Sequence, residues 1–128
     1  MSYPLKISKT NASRLGEVDL SNIAFGRIFS DHMLVADYSD GKWQEVQIMP
    51  FQNLDLHPAI SALHYGQSIF EGLKAYKTVQ GDPVIFRPEE NWQRINRSAI
   101  RMAMPEIPRE LFMDGMNELI KLDESWIP

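Results

Sequence analysis

Residues 32–48 read His-Met-Leu-Val-Ala-Asp-Tyr-Ser-Asp-Gly-Lys-Trp-Gln-Glu-Val-Gln-Ile, and this stretch decides the fold class. Two β-friendly runs flank Asp40-Gly41, and glycine tolerates the positive φ that a tight hairpin turn demands. The stretch therefore predicts a β-hairpin running from His32 to Pro50. Upstream, residues 1–22 mix Lys, Ser, Thr, Asn and Glu without periodicity, which predicts an extended N-terminal arm lying on whatever follows. Downstream, Pro50, Asn53 and Pro58 break any regular element, so residues 50–60 read as a connection.

That connection delivers the chain to Ser61-Ala-Leu-His-Tyr-Gly66 and then Gln67-Ser-Ile-Phe-Glu-Gly-Leu-Lys-Ala-Tyr-Lys77. An extended reading from Ile69 places Ile69, Glu71, Leu73 and Ala75 on one face and Phe70, Gly72, Lys74 and Tyr76 on the other. A helix is the competing reading, but Gly72 and the aromatics favour a strand. Gln80-Gly81-Asp82 then turns into a short strand over 83–87, where Pro83 is tolerable at the first position. Pro88 opens a helix running to about Met104, with Glu89 and Glu90 at the positive end of its dipole. Its apolar stripe is Trp92, Ile95, Ala99 and Met102, and Pro105 stops it. Pro108 opens a second helix, with Phe112, Met116, Leu119 and Ile120 inward and Gly115 allowing close approach. The fold class is therefore α+β: a largely antiparallel sheet with a β-hairpin, followed by two helices packed on it. The chain stops at Trp126-Ile127-Pro128 without a polar tail, as though cut before a further element.

Composition narrows the function classes. The 128 residues, 44% apolar and 23% charged, fit one ordinary globular domain and exclude collagen-like and disordered classes. The absence of cysteine excludes disulfides, thiolate zinc sites and cysteine nucleophiles, and permits a reducing compartment. No run approaches the roughly 18 apolar residues of a membrane span, and residues 1–22 are too polar for a signal peptide, so a soluble, cytoplasmic protein is expected. A net charge of −4 gives no long-range attraction for nucleic acid or a membrane surface, so any anion recognition must be local. The seven glycines form no phosphate-loop spacing. His32, His57 and His64 have no metal-ligand spacing and read as structural, so no metal site is expected.

Two groupings remain. Arg94, Arg97 and Arg101 run at i, i+3 and i+7 along the first helix, with Arg87 before it. They form either a solvated face, with Glu90 and Arg94 as an i,i+4 ion pair, or an anion clamp; pattern alone favours the face. Tyr65, Phe70, Gly72 and Lys74 form either a plain half-buried strand or a place where a ligand reaches the backbone beside a bare glycine, and pattern favours the strand.

Four segments change this balance: Phe25-Gly-Arg-Ile-Phe-Ser-Asp-His-Met33, Ser61-Ala-Leu-His-Tyr-Gly66, Phe70-Glu-Gly-Leu-Lys-Ala-Tyr76 and Asn91-Trp-Gln-Arg-Ile-Asn-Arg-Ser-Ala99. In order and spacing they closely resemble the branched-chain amino-acid aminotransferases, in the longer form shared with animals, from about residue 22 to the last residue. That resemblance implies a fold-type IV pyridoxal-phosphate enzyme with a small N-terminal domain, a larger C-terminal domain, and an active site between them near a dimer interface. The chain matches the small domain only, over residues 23–128, and the large catalytic domain is missing from it. The reaction implied for the parent is amino-group exchange between leucine, isoleucine or valine and 2-oxoglutarate, with a homodimer as the expected assembly and no nucleic-acid or membrane partner.

Carried over position by position, Arg94 matches the arginine that grips the phosphate of pyridoxal 5'-phosphate. Tyr65 and Phe70 match aromatic walls of the substrate side-chain pocket, Phe25 matches a further apolar contact, and Gly72 and Lys74 match positions lining the same cavity. No catalytic residue is expected within the fragment, because the family's Schiff-base lysine lies in the large domain, beyond residue 128. Lys6, Lys9, Lys42, Lys74, Lys77 and Lys121 do not occupy its place. The rivals are another fold-type IV enzyme, a D-amino-acid aminotransferase or aminodeoxychorismate lyase, against which the long arm and the Phe25 segment speak, and a non-catalytic binding module.

Overall fold

The computed structural model describes residues 3–128; the first two residues of the expected arm lie outside them. Three strands, β1 (Leu5–Ile7), β2 (His32–Ser39) and β3 (Lys42–Pro50), form one sheet in the order β1-β3-β2. The hairpin forms where the sequence places it. Asp40 and Gly41 take φ of +52° and +74°, the two left-handed residues whose twist suits a two-residue hairpin loop. β2 and β3 pair antiparallel from His32 opposite Pro50 to Ser39 opposite Lys42, with an irregularity between Ala36 and Tyr38. The arm does more than lie on the domain. β1 pairs parallel with β3, Leu5 opposite Val46 and Ile7 opposite Ile48, so the sheet is mixed.

Val46 and Ile48, two apart on β3, are fully buried, as alternation requires of a strand with one face inward. A short helix, α1 (Ser61–Tyr65), follows the 50–60 connection and ends at Gly66 with φ of +62°. The sequence pattern gave no helix there. β4 (Ala75–Lys77) and β5 (Pro83–Ile85) pair antiparallel as a second, two-stranded sheet, so the single expected sheet is two. The alternation over 69–76 is present, with odd positions half-buried and even positions exposed. Ladder pairing nevertheless begins only at Ala75 among the described residues. The physical reason lies in Gly72, whose carbonyl accepts from the Asn91 side chain at 3.1 Å, so a helix side chain takes the place of a neighbouring strand.

α2 (Pro88–Arg101) and α3 (Arg109–Leu122) complete the domain. α3 lies on β2 and β3, and α2 packs mainly against α3. Gly115 permits that seat, because a Cβ there would fall 2.7 Å from Cδ1 of Leu34. Leu111, one turn before Gly115, is buried with it. α2 ends at Arg101, earlier than Pro105 alone suggested, because Ala103 adopts φ of +53° and Met104 N–H donates back to Ala99 O at 2.8 Å. The turn brings Ile107 under Asn96, a buried residue on the face where the sequence suggested apolar contacts only. The Asn96 amide donates to Ile107 O at 2.9 Å and accepts from Ile107 N–H at 2.7 Å, while Trp92 Nε1 donates to the same carbonyl at 2.7 Å.

The arm from Thr10 to Arg14 and the residues after α3 are fastened to the head of β2. Thr10 N–H donates to His32 Nε2 at 2.9 Å, so His32 Nδ1 carries the proton it shares with Asp123 Oδ1 at 2.6 Å. Asp123 also accepts from His32 N–H at 2.9 Å. Next to them, buried Asp31 accepts from Arg14 N–H, the Ser13 hydroxyl and Trp126 Nε1. Burial pushes its pKa up, but those donors and the Arg14 charge outweigh it and hold the carboxyl below its ordinary value.

Candidate functional site

The segment 68–70 and the outer face of α2 enclose an open pocket of about 460 Å³. Phe70 and Ser68 stand on one side; Arg94, Arg97, Ser98 and Arg101 line the other. Helical periodicity puts the arginines there, since positions 94, 97 and 101 fall on one face of a 3.6-residue repeat.

Arg94 is held in a specific orientation. Its Nε donates to Glu71 Oε2 at 2.8 Å and its Nη2 to Glu71 Oε1, a two-point grip of the kind guanidinium and carboxylate geometry favours. Glu71 is itself fixed: its side chain is 5% exposed, and Oε1 also accepts from Asn91 Nδ2 and Gly72 N–H, each at 3.0 Å. The hydrogen bonds from Arg94 dominate its titration. With those from Asn91 and Gly72 and the guanidinium charge they overcome burial, which acts upward, and lower the pKa from 4.5 to about 2. The Arg94 side chain remains 61% exposed, so one edge of an oriented cation faces the pocket.

This pairing corrects the ion pair expected between Glu90 and Arg94. Glu90 pairs with Arg87 at 2.9 Å instead, and Glu89 receives Arg109 Nε on both oxygens, tying α2 to α3. Position 71 sits on the inward face of its segment, under α2, and that tertiary proximity outcompetes the i,i+4 partner.

The remaining expected site residues divide. Phe70 joins Arg94 in one pocket, and Gly72 touches the same network through its backbone. Phe25, Tyr65 and Lys74 do not line that pocket. Phe25, Tyr65 and Phe70 are all almost wholly exposed. Glu71 and Asn91 were missed as site residues. Both lay inside the quoted segments, and the available signal was that Glu71 shares a face with Ile69, Leu73 and Ala75, since a carboxylate among apolar neighbours on a buried face needs a cation.

No helix among the described residues is long and apolar enough to cross a membrane. No family model matches the chain. Individual proteins do. A probable branched-chain-amino-acid aminotransferase of Staphylococcus epidermidis is 41% identical over the whole chain, covering 36% of its own length. A branched-chain-amino-acid aminotransferase of Mycolicibacterium smegmatis is 46% identical over 85% of the chain and 30% of its own length. Branched-chain-amino-acid transaminase 1 of Bacillus subtilis is 44% identical over 86% of the chain and 31% of its own length. The chain is thus homologous to the N-terminal part of proteins bearing these names, and spans about a third of the length of the curated relatives it matches.

Proposed function

We propose that this chain is the small N-terminal domain, residues 23–128 preceded by the arm, of a branched-chain amino-acid aminotransferase that uses pyridoxal 5'-phosphate. The observation that carries the reading is the identity of 41% along the whole chain to a protein so named. The residues present fit the cofactor. Arg94 offers a phosphate an oriented guanidinium whose far side Glu71 fixes, and a planar fork can give such a group parallel charge-assisted bonds. When bound, the cofactor supplies an aldehyde that takes up the amino group and a ring that accepts electrons.

The part of this chain is to hold and to select. Arg94 positions the phosphate, and Phe70, Tyr65 and Phe25 form apolar walls, with Gly72 and Lys74 lining the same cavity. Their near-complete exposure leaves aromatic surface for the rest of a longer polypeptide, or a second subunit of a homodimer, to close over. Inside such a closed cavity an aliphatic side chain gains about 1.5 to 3 kcal/mol by leaving water, which suits leucine, isoleucine or valine as amino donor; the acceptor is read as 2-oxoglutarate. The protein is read as cytoplasmic.

The test is amino transfer by the full polypeptide that carries this sequence. Leucine labelled with nitrogen-15 should pass its label to 2-oxoglutarate, giving labelled glutamate, with D-alanine inactive. Label from D-alanine but none from leucine would move the protein to a D-amino-acid aminotransferase, and no transfer from either would overturn both aminotransferase readings and leave the aminodeoxychorismate lyase and the binding module.

A further inference from the structure

The pocket on α2 contains more cationic charge than Arg94 needs. Arg97 and Arg101 make no ion pair or hydrogen bond with any partner among the described residues, although each of the other arginines on α2 or at its start is paired: Arg87 with Glu90 and Arg94 with Glu71. With Glu71 neutralising one of the arginines, the pocket is left with two uncompensated positive charges in a chain whose net charge is −4. Ser98 and Ser68 line the same space, and their hydroxyls have no intramolecular partner among the described residues. Every free polar group is therefore able to donate, and the two charges match a dianion.

We propose that Arg97 and Arg101, with Ser98 and Ser68, form a phosphate-dianion subsite in this pocket, separate from the phosphate held by Arg94. The i,i+4 spacing of the two guanidiniums lets both converge on one tetrahedral anion, and Ser98 lines the same pocket. The pocket volume of about 460 Å³ holds a phosphate or a small phosphomonoester with room for its water. Arg94 does not replace them, because Glu71 occupies its Nε and Nη2 and the edge left over is the one assigned above to the cofactor phosphate. The ligand is either inorganic phosphate or the phosphate of an organic monoester.

The proposal goes beyond the aminotransferase reading and does not need it. The experiment is calorimetric titration of inorganic phosphate, and separately of a phosphomonoester such as glycerol phosphate, into the full polypeptide saturated with pyridoxal phosphate and freed of excess. Arg97→Ala and Arg101→Ala should each weaken binding roughly tenfold or more, the loss expected for a bond to a charged group. Arg97→Lys should restore part of that loss, and Lys42→Ala on the distant hairpin turn should change nothing. Stronger binding of the monoester than of phosphate identifies an organic ligand, and equal binding identifies free phosphate. Loss at Arg94→Ala alone would overturn the second subsite while leaving the cofactor reading intact. Equal small losses at Arg97, Arg101 and Lys42 would reduce the pocket to a diffuse basic face and overturn it as well. If the protein retains no pyridoxal phosphate, the aminotransferase reading fails, and the phosphate titration still reads the subsite.

Discussion

Replacing Glu71 with glutamine removes the charge that orients Arg94 while keeping size and one acceptor oxygen. The native carboxyl titrates at about 2 rather than 4.5, so the folded state favours the ionised form. The sign follows from linkage: a depressed carboxyl pKa contributes stability that is fully present above about 4.5 and is lost as pH falls toward 2. A shift of that size corresponds to about 3 kcal/mol at pH 7. Because Arg94 is 61% exposed, water screens part of the attraction, and about 2 to 3 kcal/mol is the expected cost of Glu71→Gln at pH 7. At pH 3 the cost should fall to less than half of that. Urea unfolding of wild type and variant at pH 7, 5, 4 and 3 measures it. A difference that stays constant from pH 7 to pH 3 would refute the pairing as the source of the stability, and a difference below about 0.5 kcal/mol at pH 7 would make the grip an ordinary surface ion pair.

Other outcomes follow from the packing and from the clamp on the arm. Gly115→Ala should change stability by less than about 1 kcal/mol, because Leu34 Cδ1 can swing into the adjoining apolar pocket and alanine favours the helix. Gly115→Val should cost about 1 to 3 kcal/mol by overpacking, measured by thermal unfolding. Asp31→Ala should leave three donors, from Ser13, Arg14 and Trp126, without their acceptor. It should cost at least about 2 kcal/mol and speed amide exchange around residue 14 before it does so in β3.

How much of this was legible depended on whether a feature was local. The hairpin was, since Asp40-Gly41 between two β-friendly runs states its own turn. The alternation over 69–76 was too, and it put Glu71 on the face of Ile69, Leu73 and Ala75, which the structure half-buries. Its partner was not, because 23 residues separate Glu71 from Arg94 and a helix pattern offers Glu90 at the nearer spacing. Asn96 was hidden for a related reason: its role is to satisfy the backbone of Ile107, and a side chain that serves a loop carries no periodic signature. The short helix Ser61–Tyr65 is five residues long, too short for an apolar stripe to show. The clamp of His32 by Thr10 and Asp123 joins parts of the chain 91 residues apart and had no sequence signal beyond the general tendency of an isolated histidine to be structural.

The most direct test of the central claim is titration of pyridoxal phosphate into the cofactor-free full polypeptide, followed by its visible absorbance, for wild type and Arg94→Ala. Losing the oriented guanidinium removes a charge-assisted bond, so affinity should fall roughly 10- to 150-fold. Arg97→Ala and Arg101→Ala should stay near wild type with this ligand. An Arg94→Ala protein that binds the cofactor as tightly as wild type would show that Arg94 does not hold the cofactor phosphate.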